Sequence, residues 1–139
     1  MLFLWKSQRY GLRGAMNKIS RETILLIEDD CEIRNLYKMI LEFNGYNVIE
    51  AVDGEDGIAK FLEHQNEIRL LVSDVMMPNK SGKEAYFEIK KLKKDIRVIF
   101  TSAHNNEATK TLKGAGLIYM QKPFSPEDLL LKIKEVLAE

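Results

Sequence analysis

The chain has 139 residues, of which 45% are hydrophobic and 30% are charged, and its formal net charge at pH 7 is zero. This length predicts one domain with a substantial core, and the composition excludes a disordered chain, which needs low hydrophobicity and high net charge. The balanced charge excludes a global attraction to nucleic acid or to a membrane surface. The single cysteine, Cys31, excludes an internal disulfide, so a reducing cytoplasm is the expected compartment.

The first 22 residues differ from the rest in charge, with five basic side chains and one acidic side chain. Their apolar start, Met1 to Trp5, is too short for a signal-peptide core or a membrane span. We therefore expect a flexible basic leader over residues 1–22 and a folded domain over residues 23–139. Met16 is an alternative start, and contact of residues 1–10 with a membrane surface or a partner is an alternative role.

From Thr23 onward, short apolar runs alternate with amphipathic stretches, which is the pattern of βα units and a parallel sheet. Strands are predicted over residues 23–27, 46–51, 69–73, 97–101 and 117–120. Five helices alternate with them; the fourth, over residues 105–113, is weakly patterned, and Ser125 is the expected N-cap of the fifth. In the other four helices, apolar residues recur at spacings of three and four, which predicts the face that each helix turns toward the sheet. These residues are, for helices one, two, three and five in turn, Ile33, Leu36, Tyr37, Ile40 and Leu41; Ile58, Phe61 and Leu62; Ala85, Ile89 and Leu92; and Leu129, Leu130, Ile133, Val136 and Leu137.

Acidic side chains follow two of the buried strands at the point where each strand ends. Glu28 and Asp29 come after the first strand, and Asp74 comes after the third. Because ligands of open parallel sheets bind at the carboxyl ends of the strands where the strand order reverses, these acids converge if the two strands are neighbours. Their mutual repulsion favours a divalent cation, and Mg²⁺ prefers hard oxygen ligands. Asp30 is instead interpreted as a helix N-cap.

Two further strand ends carry side chains that suit a phosphoryl group. Ser102 follows the fourth strand and offers a hydroxyl, and Lys122 follows the fifth strand and offers an ammonium. Taken alone, each is more simply a turn or surface residue. Four strand ends that bear an acid pair, an acid, a hydroxyl and a lysine, in that order, together indicate a phosphate site.

The segments LLIEDD, SDVMMPNKSG, FTSA and QKPF occur in this order along the chain. On these motifs, residues 23–138 resemble the receiver domain of two-component response regulators. The resemblance implies an α/β fold, namely a doubly wound, flavodoxin-like (βα)5 parallel sheet of order 2-1-3-4-5 between two helical layers. The chain is also similar to receivers at the C-terminal end of hybrid sensor histidine kinases. Two interpretations therefore stay open, a stand-alone relay protein and a receiver excised from a larger chain.

The resemblance also implies roles for individual residues. Asp74 matches the phosphoacceptor, and Glu28 and Asp29 match the acidic pair that positions Mg²⁺, although many members have aspartate where Glu28 stands. Met76 matches the position whose backbone carbonyl is a metal ligand. The implied ion is Mg²⁺, with Mn²⁺ as an alternative.

Four later residues match family positions that contact the phosphate or respond to it. Ser102 matches the switch hydroxyl, Lys122 matches the phosphate-contacting lysine, and Pro123 matches a proline usually preceded by a cis bond. Tyr119 matches an aromatic switch residue. The stretch KGAGLI before it departs from the common Gly-Ala pattern, which blurs the local register.

The implied function is that of a phosphoacceptor regulator rather than an enzyme. Asp74 would take a phosphoryl group from a histidine kinase or a histidine phosphotransfer protein, with slow hydrolysis afterwards, and phosphorylation would change the face formed by helix four, strand five and helix five. The downstream partner is not identified. Because the chain ends at the last receiver helix, no output domain and no direct contact with nucleic acid or membrane are expected.

Three alternatives are less consistent with the residues. A metal-dependent phosphatase with an aspartyl nucleophile would need a second acid two residues after Asp74, where Met76 stands. A flavin-binding module would need a phosphate-cradling loop after the first strand, where the acidic EDDCEIR lies. A pseudo-receiver used only for binding would not need the full set of acids, hydroxyl and lysine.

Overall fold

The computed structural model describes residues 21–103, 107–114 and 117–138, and five strands alternate with five helices along them. The expected leader lies outside the described residues except at its last two positions. The strands are β1 (Thr23–Ile27), β2 (Asn47–Ala51), β3 (Ile68–Asp74), β4 (Arg97–Ser102) and β5 (Ile118–Gln121). The helices are α1 (Cys31–Phe43), α2 (Gly54–His64), α3 (Gly82–Leu92), α4 (Glu107–Gly114) and α5 (Pro126–Ala138).

All five strands pair in parallel in one sheet of order β2-β1-β3-β4-β5, so the predicted doubly wound fold is confirmed. Every residue of β1 is buried, and its continuous apolar run suits a strand that has helices over both faces. β1 lies beside β3, with Ile27 opposite Ser73. The segments that leave these two strands therefore start next to each other.

The core divides into two clusters because adjacent side chains of a strand point to opposite faces of the sheet. Leu25 and Leu71 pack with Phe61 of α2 and Ile89 of α3 on one face. The other face packs against α1 and α5, and its cluster includes Ile24, Leu70, Leu41, Leu129 and Ile133. Each such side chain contributes about 2 kcal/mol by leaving water, which makes the sheet a rigid platform for the loops at its edges.

Side-chain caps define where α1 and α5 begin. The carboxylate of Asp30 accepts hydrogen bonds from the backbone N–H groups of Glu32 and Ile33, at 2.9 and 3.1 Å, so the predicted N-cap of α1 is confirmed. The Ser125 hydroxyl oxygen accepts one from the N–H of Asp128 at 3.0 Å, which confirms the cap of α5.

Three apolar residues predicted for inner helix faces are half exposed, and those predictions were wrong. Leu36, Leu62 and Leu92 are 54%, 50% and 51% exposed. A helix on a sheet buries a stripe of limited width, and the chain neighbours Tyr37 and Phe61 occupy it in α1 and α2. Leu92 is the last residue of α3, where the helix ends. Apolar spacing alone does not decide which of two adjacent apolar residues meets the sheet.

Candidate functional site

Three carboxylates meet at the carboxyl edge of the sheet. Glu28 and Asp29 directly follow β1, and Asp74 is the last residue of β3. One carboxylate oxygen from each of the three lies within 4.8 Å of the others. The structure thus brings the three predicted acids together, because β1 and β3 are neighbours in the sheet. A set of hard oxygen donors at such spacing is chemically suited to Mg²⁺.

Glu28 is the most enclosed of the three acids, with 2% of its surface exposed. Its Oε1 accepts a hydrogen bond from Lys122 Nζ at 2.9 Å, and its Oε2 accepts one from the backbone N–H of Asp30 at 3.1 Å. Burial raises the pKa of Glu28, while these two bonds and the positive charge of Lys122 counteract the rise. Additional positive charge beside Glu28 would therefore favour its ionised form.

Lys122 lies between two acids, because its Nζ is also 3.2 Å from Asp74 Oδ2. Burial by itself would lower the pKa of Lys122, but the hydrogen bond to Glu28 and the charges of Asp74 and Glu28 raise it overall. The backbone N–H of Lys122 donates to the Ser102 carbonyl oxygen at 2.8 Å, which extends the pairing of β4 with β5. The bond from Lys122 to Pro123 is cis, as the family resemblance implies.

Asp74 is held closely by the loop that follows it. Its Oδ1 accepts a hydrogen bond from the backbone N–H of Met76 at 3.1 Å. A Cβ on Gly82 would collide with the backbone carbonyl oxygen of Asp74, so only glycine allows α3 to start this close to β3. The Met76 side chain is exposed, and the role of its backbone carbonyl as a metal ligand stays a prediction.

Ser102 lies on β4, which pairs with β3, and Tyr119 lies on β5, the edge strand beyond β4. Ser102 is the buried last residue of β4, one residue beyond Thr101, which pairs with Asp74. Tyr119 is half-buried in β5, opposite Phe100, and packs against the core cluster that contains Leu71. The switch roles of both residues stay predictions, and residues 115–116 of the KGAGLI stretch lie outside the described residues.

Arg34 braces the site, although no sequence motif singled it out. Arg34 Nη1 donates to the backbone carbonyl oxygen of Glu28 at 2.8 Å, and its Nε donates to Glu50 Oε1 at 3.3 Å. Arg34 and Glu50 lie in different elements, α1 and β2. The packing of α1 over β2 brings them together, so no local sequence signal could have found this contact.

A second brace joins the loop after β3 to the start of α2. Asn79 Nδ2 donates to Asp53 Oδ2 at 2.8 Å, and the N–H of Gly54 donates to the Lys80 carbonyl oxygen at 3.1 Å. Asn79 has a φ of 67°, a left-handed conformation that asparagine tolerates better than most residues. The turn-rich MPNKS segment and the Asp53-Gly54 pair are the signals that could have indicated this contact.

A doubly wound parallel sheet with an acid cluster and a lysine at the carboxyl ends of its strands defines the flavodoxin-like class of α/β domain, whose ligands bind at that edge. More narrowly, the chain belongs to the response regulator receiver domain family, because a model of that family matches residues 24–134. The predicted family is confirmed, and the protein is a receiver domain of the two-component signalling type.

Similar proteins agree with this assignment. The chain is 40% identical over 116 residues to the uncharacterized transcriptional regulatory protein YbdJ of Bacillus subtilis, covering 82% of this chain and 50% of that protein. It is 35% identical over 124 residues to the transcriptional regulatory protein ResD of the same species, covering 88% and 50%. A CheY-like receiver domain protein from Methanospirillum hungatei JF-1 has a crystal structure that matches with a TM-score of 0.78 and 34% identity, over 86% of this chain and 95% of that one.

These comparisons bear on the expected partners. Receiver domains of this family work with histidine kinases and phosphotransfer proteins. The chain spans about half the length of the curated relatives it matches. The expectation of no direct contact with nucleic acid is not supported, because those relatives are named transcriptional regulatory proteins. Among the described residues, no helix has the length and apolar character needed to cross a membrane.

Proposed function

We propose that Asp74 accepts a phosphoryl group from the phosphohistidine of a sensor histidine kinase or a histidine phosphotransfer protein. The observation that carries the proposal is the position of Asp74 Oδ2, 3.2 Å from Lys122 Nζ and beside two further carboxylates. An oxygen of Asp74 forms the new P–O bond while the P–N bond to the histidine breaks, and its electron pair stays on the imidazole. The product is an acyl phosphate on Asp74.

Glu28, Asp29 and Asp74 are proposed to hold Mg²⁺, or Mn²⁺, together with the backbone carbonyl of Met76. The donor set fits such an ion, because all donors are hard oxygens and the three carboxylates repel one another without added positive charge. The bound ion would supply positive charge that lets the Asp74 carboxylate and an anionic phosphoryl group approach each other. The longer side chain of Glu28 suits this role, because one of its carboxylate oxygens lies within 4.8 Å of oxygens of Asp29 and Asp74.

Lys122 and Ser102 are proposed to bind the transferred group. The ammonium of Lys122 would exchange its contact with Asp74 for one with a phosphoryl oxygen, while its bond to Glu28 keeps it oriented. The hydroxyl of Ser102, at the end of the adjacent strand, would donate to another phosphoryl oxygen. Both contacts favour a transition state with negative charge on the equatorial oxygens of phosphorus.

The output is proposed to be a change of the face formed by α4, β5 and α5. Movement of Ser102 toward the acyl phosphate would open space for Tyr119, which already packs against the core from β5. A downstream partner would read the changed face. Phosphorylation by small donors and slow hydrolysis are expected of the same site. The cytoplasm is the proposed compartment, in keeping with the exposed free thiol of Cys31.

Incubation with acetyl phosphate, with either Mg²⁺ or EDTA, tests the proposal by intact mass. Wild-type protein is expected to gain one phosphoryl group with Mg²⁺ and to lose it on treatment with hydroxylamine, whereas Asp74→Asn gains none. Asp30→Asn is the matched control, because Asp30 lies in the acidic turn after β1, beside Glu28 and Asp29, but caps α1, which asparagine also does. Equal phosphorylation of wild type and Asp74→Asn would overturn the proposal.

A further inference from the structure

Arg34 connects the acidic site to β2 through two hydrogen bonds in different directions. From the first turn of α1, its Nη1 donates to the Glu28 carbonyl oxygen at 2.8 Å and its Nε donates to Glu50 Oε1 at 3.3 Å. The side chain is 14% exposed, so it is largely screened from competing water. Because a guanidinium is planar and rigid, two such bonds fix the place of Glu28 relative to β2.

The backbone of Glu28 is supported by the same strand on its other side. Its N–H donates to the carbonyl oxygen of Ala51 at 3.0 Å, and Ala51 directly follows Glu50. The end of β2 thus holds the N–H of Glu28 directly and its carbonyl by way of Arg34. This support matters because Glu28 lies beyond the last residue of β1, outside the regular strand.

We propose that Arg34, oriented by Glu50, is a positioning residue that sets the Glu28 carboxylate for binding a divalent cation. The inference rests on the proposed function in one respect, which is that Glu28 is a metal ligand. Residues that hold a metal ligand in place without contacting the metal typically lower metal affinity about 10–100-fold when they are substituted. Loss of Arg34 would leave the turn between β1 and α1 freer to move and Glu28 less well placed.

The sign of the change in metal affinity distinguishes a positioning role of Arg34 from a simple effect of its charge. Arg34 is a cation close to a proposed cation site, so removal of its charge should by Coulomb's law favour metal binding. A positioning role predicts the opposite result, weaker binding. Lys38 provides the matched control, because its Nζ pairs with the same carboxylate, at 3.1 Å from Glu50 Oε2, while the bond to the Glu28 carbonyl comes from Arg34.

Titration calorimetry with Mg²⁺, and with Mn²⁺ in parallel, measures the affinity of the wild type and of three variants. Arg34→Met is expected to bind Mg²⁺ about tenfold more weakly or worse. Lys38→Met is expected to bind as tightly as wild type or slightly more tightly. Arg34→Lys keeps the positive charge but loses the planar fork, and an intermediate loss of roughly threefold is expected. Urea unfolding in EDTA establishes that each variant is folded before metal is added.

The outcomes separate this inference from the function on which it rests. Arg34→Met that binds Mg²⁺ as tightly as Lys38→Met overturns the positioning role alone. If Arg34→Met does not fold in EDTA, Arg34→Lys decides: weaker binding supports the role and unchanged binding overturns it. A wild-type protein that binds neither metal overturns the proposed function and this inference with it.

Discussion

Lys122 Nζ lies 2.9 Å from Oε1 of Glu28, a side chain that is 2% exposed. A buried ion pair adds little net stability, since both charges lose water, but removal of one partner leaves the other buried and unpaired. Lys122 therefore links the stability of the fold to the chemistry of the site. The same ammonium that is proposed to bind the phosphoryl group also neutralises the acid beneath it.

Lys122→Met is expected to lower the free energy of unfolding by about 2 kcal/mol in EDTA. This loss is smaller than the roughly 3–5 kcal/mol expected when one partner of a fully buried ion pair is removed, because Lys122 is 14% exposed. Urea unfolding followed by circular dichroism measures the change. Lys132→Met is the control, since Lys132 pairs with Glu135 in a more exposed setting and should cost less than about 1 kcal/mol. Equal losses of stability in the two variants would mean that Lys122 does not stabilise the fold through its pair with the buried Glu28.

Two leucines of α1 are expected to differ sharply when each is truncated to alanine. Leu41 is fully buried against the sheet, and Leu41→Ala should lower the free energy of unfolding by about 2–5 kcal/mol. Leu36 is 54% exposed, and Leu36→Ala should cost less than about 1 kcal/mol. Urea denaturation of the two variants side by side measures the difference. A Leu36→Ala loss as large as that of Leu41→Ala would place Leu36 in the core after all.

Leu36 and the strand β1 show where sequence patterns predict structure well and where they do not. The TILLI run is apolar at every position, so it predicts a strand covered on both faces without a choice between faces. On α1, by contrast, Leu36 and Tyr37 both fit an apolar stripe, and only packing against the sheet selects Tyr37. The fold class was therefore predictable, while individual inner faces were predictable only in part.

The candidate site shows the same division. Glu28, Asp29 and Asp74 could be placed together because strand ends meet at one edge of a parallel sheet. The contact of Arg34 with Glu50 could not, because it depends on how α1 lies over β2. Side chains that act directly at strand ends leave a pattern in the sequence, whereas side chains that brace them from other elements leave none.

Gly82→Ala is expected to destabilise the protein by about 1–3 kcal/mol and to slow phosphorylation by acetyl phosphate. The added Cβ would collide with the backbone carbonyl oxygen of Asp74, and a backbone atom cannot move aside as a flexible side chain can. The helix propensity of alanine, about 1 kcal/mol better than that of glycine, works in the opposite direction. Urea unfolding and intact mass measure the two effects.

Gly114→Ala is the matched control for Gly82→Ala. Gly114 is the last residue of α4, and a Cβ added there meets nothing within 4 Å. This variant is expected to be neutral or slightly stabilised and to be phosphorylated at the rate of wild type. If Gly82→Ala behaved in the same way, the close approach of α3 to β3 would not constrain Asp74.

Asp53 is expected to contribute stability that depends on pH. Hydrogen bonds from the backbone N–H of Asp56 and then from the side chain of Asn79 lower the pKa of Asp53 below its usual value of 3.8. An acid whose pKa is lower in the folded state stabilises the fold when ionised. This stability is complete above the unfolded value and is lost as the pH falls from about 3.8 through the lower folded value.

Asp53 is the N-cap of α2, and Asp53→Asn isolates the contribution of its charge, because asparagine can also cap the helix but cannot ionise. Wild type is expected to exceed Asp53→Asn in free energy of unfolding at pH 6, by less than about 1 kcal/mol because the site is near the surface. The advantage should shrink at pH 3, which urea titrations at the two pH values measure. Asn79→Gly removes the side-chain donor to Asp53 but allows the left-handed backbone at position 79. In an Asn79→Gly background, aspartate at position 53 should therefore have a smaller advantage in stability over asparagine. An advantage that is equal at both pH values would mean that the Asp53 charge does not help to hold the loop after β3 against α2.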